Sequence, residues 1–306
     1  MPLMITSSCL PNEIASSSKL RGLSSCSPRS AVPNRVWRCQ PLRLSSSRSR
    51  RELLLCESMK TLVSFDVDGT LIRTVGDNAN KLHKLAFMQA WKEIYGLDTN
   101  LDVIQHHGNT DPLILIRVAE FHGIAKSDAA AKLKEMEDVM LKHYMANADK
   151  AGVGLECLPG VKQLLQELKD REDVLTCLVT GNLQPIGWAK MEALGIKHLF
   201  SEPYFGGFGS DYCNPDNSDQ SWKDRAELVK IAAEKAQKHF PRVQFKAKWH
   251  VGDTPMDVQA AQGGHAKALG VLTGVYSRQD LEGCGAESIT LENLEDVPAV
   301  LKALNL

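Results

Sequence analysis

The sequence predicts an α/β fold, a doubly wound parallel sheet with an inserted helical subdomain, and three observations predict it. From about residue 60, short apolar runs alternate with segments of helical periodicity. One long interval, 75–157, interrupts that alternation with helical patterns only. Three of the apolar runs end on acidic, hydroxyl-bearing or glycine residues, the composition expected where parallel strands open onto a ligand. Strands that alternate with helices imply a parallel sheet covered on both faces.

Taken in order, the first 58 residues stand apart. They are rich in serine and carry nine Lys/Arg against three Glu, with no compact apolar segment of a secretory signal. That composition is expected of an organellar transit peptide, for a plastid in preference to a mitochondrion, with a disordered basic tail as the plain alternative. The expected core comprises 59–74 and 158–306. Its strands are TLVSFD (61–66), VLTCLVT (174–180), KWHVGD (248–253) and AKALGV (266–271). Val161, Leu164, Leu165 and Leu168 repeat at helical spacing after Pro159. Leu228, Ile231 and Ala232 do so after Asp224, with Glu227 completing a capping-box pattern. Within 75–157, three stripes read as helices: Phe87, Trp91, Ile94, Tyr95; then Ile114, Val118, Phe121 behind Asp111-Pro112; then Leu133, Met136, Met140, Tyr144. An interval so long is a subdomain and not a crossover loop, and its Met and aromatic stripes are packing. The run 205–220, rich in Gly and Asp, is expected to be a mobile loop.

Composition excludes several classes. A chain of 306 residues with 43% hydrophobic content can bury a sizeable core. It has no apolar run long enough to span a bilayer, and its net charge of −1 gives no reason to expect a nucleic-acid partner. Cys157, Cys177, Cys213 and Cys284 are widely spaced and form no CxxC or Cys/His cluster, so a structural zinc site is not expected and a reducing compartment is.

The chemistry gathers at strand ends. The first strand delivers Asp66 and Asp68, the second Thr180, Gly181 and Asn182, the third Asp253 with Asp257 beyond. Singly, these read as an Asp-Gly turn, a tight turn, and Asp253 as the N-cap of a helix opening at Pro255. Together they place four carboxylates and a hydroxyl on one rim, where mutual repulsion calls for a cation.

FDVDGT, LVTGN and VGDTPMD, in this order and at these strand ends, resemble motifs I, II and IV of the haloacid dehalogenase-like hydrolase superfamily. The match spans 61 to about 275, and the insert at 75–157 is similar to the helical cap of the subgroup containing phosphoglycolate phosphatases and β-phosphoglucomutases. The resemblance implies a Rossmannoid core and a Mg²⁺-dependent phosphatase of a small phosphorylated metabolite. Asp66 would be the nucleophile forming an aspartyl-phosphate, and Asp68 the general acid and then base. Asp66, the Asp68 carbonyl, Asp253 and Asp257 would hold the ion, and Thr180, Gly181 and Asn182 would donate to the phosphoryl oxygens. The family's third motif expects a Lys, commonly before Pro. That context is absent, leaving Arg225 and Lys223 as candidates.

In the cap, His106, His107, Asn109 and Thr110 are expected to face the rim, with Arg117 exposed. A phosphomutase of the same superfamily and a non-catalytic binding protein are the competing readings. A monomer or a homodimer is expected.

Overall fold

The structure, a computed structural model, describes residues 58–285 and 288–306; the expected targeting segment lies, but for Ser58, outside them. In chain order the elements are β1 (Ser58–Phe65), β2 (Ile72–Thr74), α1 (Lys81–Tyr95), α2 (Asp111–Phe121), α3 (Lys126–Ala131), α4 (Leu133–Met145), β3 (Leu155–Cys157), α5 (Val161–Lys169), β4 (Val174–Thr180), α6 (Gln184–Ala193), β5 (Gly206–Phe208), α7 (Trp222–His239), β6 (Val243–Gly252), α8 (Pro255–Gly263), β7 (Lys267–Val271), α9 (Arg278–Glu282), β8 (Ile289–Leu291) and α10 (Val297–Ala303).

Six strands form one sheet in the order β5-β4-β1-β6-β7-β8, every neighbouring pair parallel. Residues 61–65 of β1 and all of β4 are buried, which explains their unbroken apolar character: strands covered on both faces do not alternate. The chain builds outward from β1 through β4 to β5, then returns to β6 on the other side. The order therefore reverses between β1 and β6. In open α/β sheets this reversal leaves a crevice at the carboxyl ends, and Asp66 and Asp253 follow directly on those two strands.

β2 and β3 pair antiparallel, Ile72 opposite Cys157, and between them the chain runs through α1 to α4. Leu155–Cys157, expected within a strandless interval, is thus a strand: it needs only three residues because it pairs at the neck of the insertion. The aromatic and methionine stripes form one core, with Phe87, Trp91, Met136, Met140 and Tyr144 all buried. Leu183 and Ile186, around the start of α6, are part of that core, which joins the helical insert to α6. Each fully buried apolar side chain of this kind is worth about 1.5–3 kcal/mol.

Two sequence expectations are corrected. Residues 205–220 are not a mobile loop. Gly206–Phe208 is a buried strand beside β4, and a Cβ on Gly207 would overlap the Leu228 carbonyl, so glycine serves close approach and not flexibility. The following turn is pinned by Asp224, which accepts from the Asn214 amide (2.9 Å) and Asn217 Nδ2 (2.6 Å). Asp224 consequently does not cap α7; Ser221 precedes that helix. No helix among the described residues is long and apolar enough to cross a membrane.

Candidate active site

Asp66 leaves β1 with its amide donating to the Val251 carbonyl (2.9 Å), which fixes it against β6. The chain then turns at Gly69, whose φ of 95° and crowding against the Asp253 carboxylate both require glycine. Asp66, Asp253 and Asp257 are all buried, and each offers an oxygen within 4.8 Å of the others. Arg225, also buried, brings Nη2 to 3.0 Å from Asp66 Oδ1 and ion-pairs with Asp257. Of the two cations expected for the third motif, Arg225 is the one placed among these acids. Lys223 is exposed, its ammonium 5.9 Å from the Trp222 ring centroid.

Asp257 is the best supported of the three acids. It accepts from the Thr254 amide (3.0 Å) and hydroxyl (2.7 Å), from His250 Nε2 at 3.3 Å and from Arg225. Burial works against its charge, but Arg225 and then His250 hold it well below the usual carboxylate range. Thr254, and not Asp253, is the N-cap of α8, in a capping box with Asp257. Among the described residues Asp253 is thereby left with one side-chain hydrogen bond, from the Thr70 hydroxyl (3.1 Å). Burial, then the charges of Asp257 and Asp66, push its carboxyl well up. Burial likewise pushes Asp66 up to about 6 against the pull of Arg225.

Asp68 has a different environment. The ammonium of Lys190, completely buried on α6, lies 2.9 and 2.7 Å from its two oxygens, and Asn182 Nδ2 donates to it at 2.9 Å. Burial opposes its charge, yet Lys190 and, from the cap, His83 outweigh that and hold it below its ordinary value.

Asn182 gives its second amide proton to Thr180 Oγ1 (2.8 Å), so both are spent inside the protein. Its side chain braces Asp68 and Thr180. Thr180 Oγ1 accepts that bond and keeps its own proton to donate. The Gly181 carbonyl accepts from the Asp111 amide (2.8 Å), and Asp111 Oδ2 accepts from the Leu183 amide (3.0 Å), which lays the start of α2 over this turn.

A cavity of about 500 Å³ opens between these groups and the helical insert, lined by Asp66, Asp68, Thr180, Arg225 and Asp253 below. His83, His106, His107 and Asn109 line its upper wall. Thr110 is buried and caps α2, so it does not face the cavity as expected. Nor is Arg117 exposed: half-buried, it donates to the Gln105 carbonyl (3.1 Å) and to Asn109 Oδ1 (3.2 Å), holding the histidine loop.

Sequence reasoning missed Lys190, His83, Thr70 and His250. Lys190 stands between Ala189 and Met191 in a helix with no period that marks it; only its complete burial singles it out.

The arrangement supplies a buried carboxylate beside a guanidinium, a second carboxylate held by an ammonium, a free hydroxyl donor and surplus negative charge. A family profile of haloacid dehalogenase-like hydrolases matches residues 60–265. A phosphoglycolate phosphatase of Pseudomonas putida is 24% identical over 250 residues, 82% of each chain. A hydrolase structure from Pseudomonas syringae (21% identity, TM-score 0.54) covers 80% of this chain with 98% of its own. A predicted phosphoglycolate phosphatase from Haemophilus somnus (21% identity, TM-score 0.51) covers 79% with 98%. Since the matched span takes in most of the chain and contains Asp66, Asp68, Thr180, Lys190, Arg225, Asp253 and Asp257, the chain belongs to the haloacid dehalogenase-like hydrolases.

Proposed function

We propose that the protein is a Mg²⁺-dependent phosphatase that hydrolyses a small phosphomonoester through an aspartyl-phosphate on Asp66. The observation that carries this reading is the buried cluster of Asp66, Asp253 and Asp257 with one guanidinium among them and a second, separately held carboxylate two residues after Asp66.

The donor set fits a hard divalent cation: oxygen ligands only, more negative charge than Arg225 offsets, and Asp253 almost free of protein partners. Asp66, Asp253 and the Asp68 carbonyl would hold the ion, with Asp257 supporting them from behind. When bound, Mg²⁺ offsets the charge of the phosphodianion and so permits a carboxylate to approach it. Asp66 attacks phosphorus and the ester oxygen leaves, taking a proton from Asp68, which must first take that proton up from solvent against the charge of Lys190 as the phosphodianion arrives. Asp68 then takes a proton from the water that attacks the aspartyl-phosphate, releasing phosphate and restoring Asp66. Thr180 donates to a phosphoryl oxygen. Buried Arg225 Nε, which finds no acceptor among the described residues, has one in a second phosphoryl oxygen.

The test is a panel of phosphomonoesters, phosphoglycolate first because a relative carries that name, assayed with the full chain and Mg²⁺. Metal-dependent release of phosphate is expected, with Asp66→Asn lowering turnover by about 10⁴-fold or more. Hydrolysis that survives Asp66→Asn sinks the mechanism, and phosphate exchanged between two hydroxyls of one sugar without release identifies a mutase instead. We also propose that residues 1–58 direct the chain to a plastid; a fluorescent fusion still imported without them refutes that.

A further inference from the structure

Lys190 is fully buried and all three of its ammonium protons have acceptors: Asp68 Oδ1 at 2.9 Å, Asp68 Oδ2 at 2.7 Å and Asn182 Oδ1 at 2.9 Å. Asn182 closes the arrangement by donating to Asp68 Oδ2 and to Thr180 Oγ1. A lysine is rarely buried so completely unless paired, and every one of its partners belongs to the site. It stands on α6, which is anchored on both sides: Leu183 and Ile186 in the core of the helical insert, Trp188 and Met191 in the core beneath the sheet.

We infer that Lys190 is the positioning residue for the acid–base carboxylate, fixing the orientation of Asp68 toward the leaving oxygen. The inference rests on the phosphatase reading above. The Asp68 side chain is 37% exposed, so space exists for it to swing toward solvent once the two bonds from Lys190 are removed. Asn182 alone would then hold one of its oxygens. Proton transfer depends on reach within hydrogen-bond distance, whereas attack by Asp66 is arranged by Arg225 and β6 and does not use Lys190.

This separation is measurable with two esters of similar size. A nitrophenolate leaves readily without a proton, while a phenolate gains more from one. The value of kcat/KM reports only the steps up to departure of the leaving group, so the later role of Asp68 toward water does not enter. With the full-length protein and Mg²⁺, Lys190→Met is expected to lower kcat/KM for phenyl phosphate by about 10²-fold, the usual scale of general acid catalysis. For 4-nitrophenyl phosphate the loss is expected to be several times smaller. Adding Lys190→Met to Asp68→Asn is expected to cost little more on phenyl phosphate than Asp68→Asn alone, because both remove one function.

Equal losses on the two esters, or losses that add in the double variant, overturn the inference while leaving the phosphatase reading intact. A wild-type chain that releases phosphate from no ester of the panel removes the reading and the inference together, and if it acts only on other esters the same two criteria are applied to two of those with leaving groups of unequal acidity. Should Lys190→Met fail to fold, Lys190→Gln, which keeps an amide donor, is read by the same two criteria.

Discussion

Asp66 and Asp68 flank a single valine, yet their surroundings are opposite. Asp66 sits with Asp253 and Asp257 around one guanidinium, and burial pushes it up to about 6. Asp68 is matched by its own buried ammonium, which prevails over burial and holds it below its ordinary value. One side of Val67 is short of positive charge, with three buried acids around one guanidinium; the other is supplied with it by the protein. Two carboxylates in different environments are how one site separates nucleophile from acid–base group.

The largest effect expected from breaking this contrast comes from Arg225→Met. It leaves three buried carboxylates with no guanidinium, and chemical denaturation without metal should show a loss of about 3–5 kcal/mol. A loss below about 1 kcal/mol would mean that Arg225 is not what tolerates the cluster.

Next comes pH. An unfolded Asp66 releases its proton near 3.8 and the folded one near 6, so between those values the folded chain holds a proton that the unfolded chain has lost. Stability contributed by Asp66 therefore falls as pH rises from about 4 to about 6, by roughly 3 kcal/mol at most. The stability of metal-free wild type relative to Asp66→Asn, followed across that window, should decline; a difference that rises or stays flat contradicts the assignment. The Asp68 contribution has the other sign and is lost only as pH falls through its lowered value.

Mg²⁺ sharpens the same comparison. At about a hundred times its dissociation constant it should stabilise the chain by about 2.7 kcal/mol, or roughly 5–10 °C in Tm. Asp253→Asn should abolish the shift, and a shift that persists in that variant places the ion elsewhere. Smallest is Lys223→Ala, a change at an exposed side chain, expected to leave stability within about 0.5 kcal/mol and turnover near wild type. A large loss of turnover would return Lys223 to the site.

The strand ends could be recognised from sequence because each motif is continuous: an apolar run, then the reactive residue, within a few positions. The Gly-rich Gly206–Phe208 and the short Ile289–Leu291 gave no such run, and glycine spacing that serves close packing looks the same in sequence as glycine that serves mobility. Helix caps were displaced for a related reason. Thr254 and Asp257 cap α8, and Asp224 faces a loop, because which acid caps and which is left for chemistry depends on where the helix begins by one residue.

By itself the sequence determined the alternation of strands and helices, the family, and the acids brought to one rim, since these follow from local periodicity and from the order of contiguous motifs. Only the tertiary structure decided that Arg225 and not Lys223 meets Asp66, that Asn182 braces Asp68, and that Lys190, 122 residues from Asp68, is its counter-ion. Such pairs are set by strand register and by how a helix crosses the sheet, and a buried ammonium and a solvated one are written with the same letter.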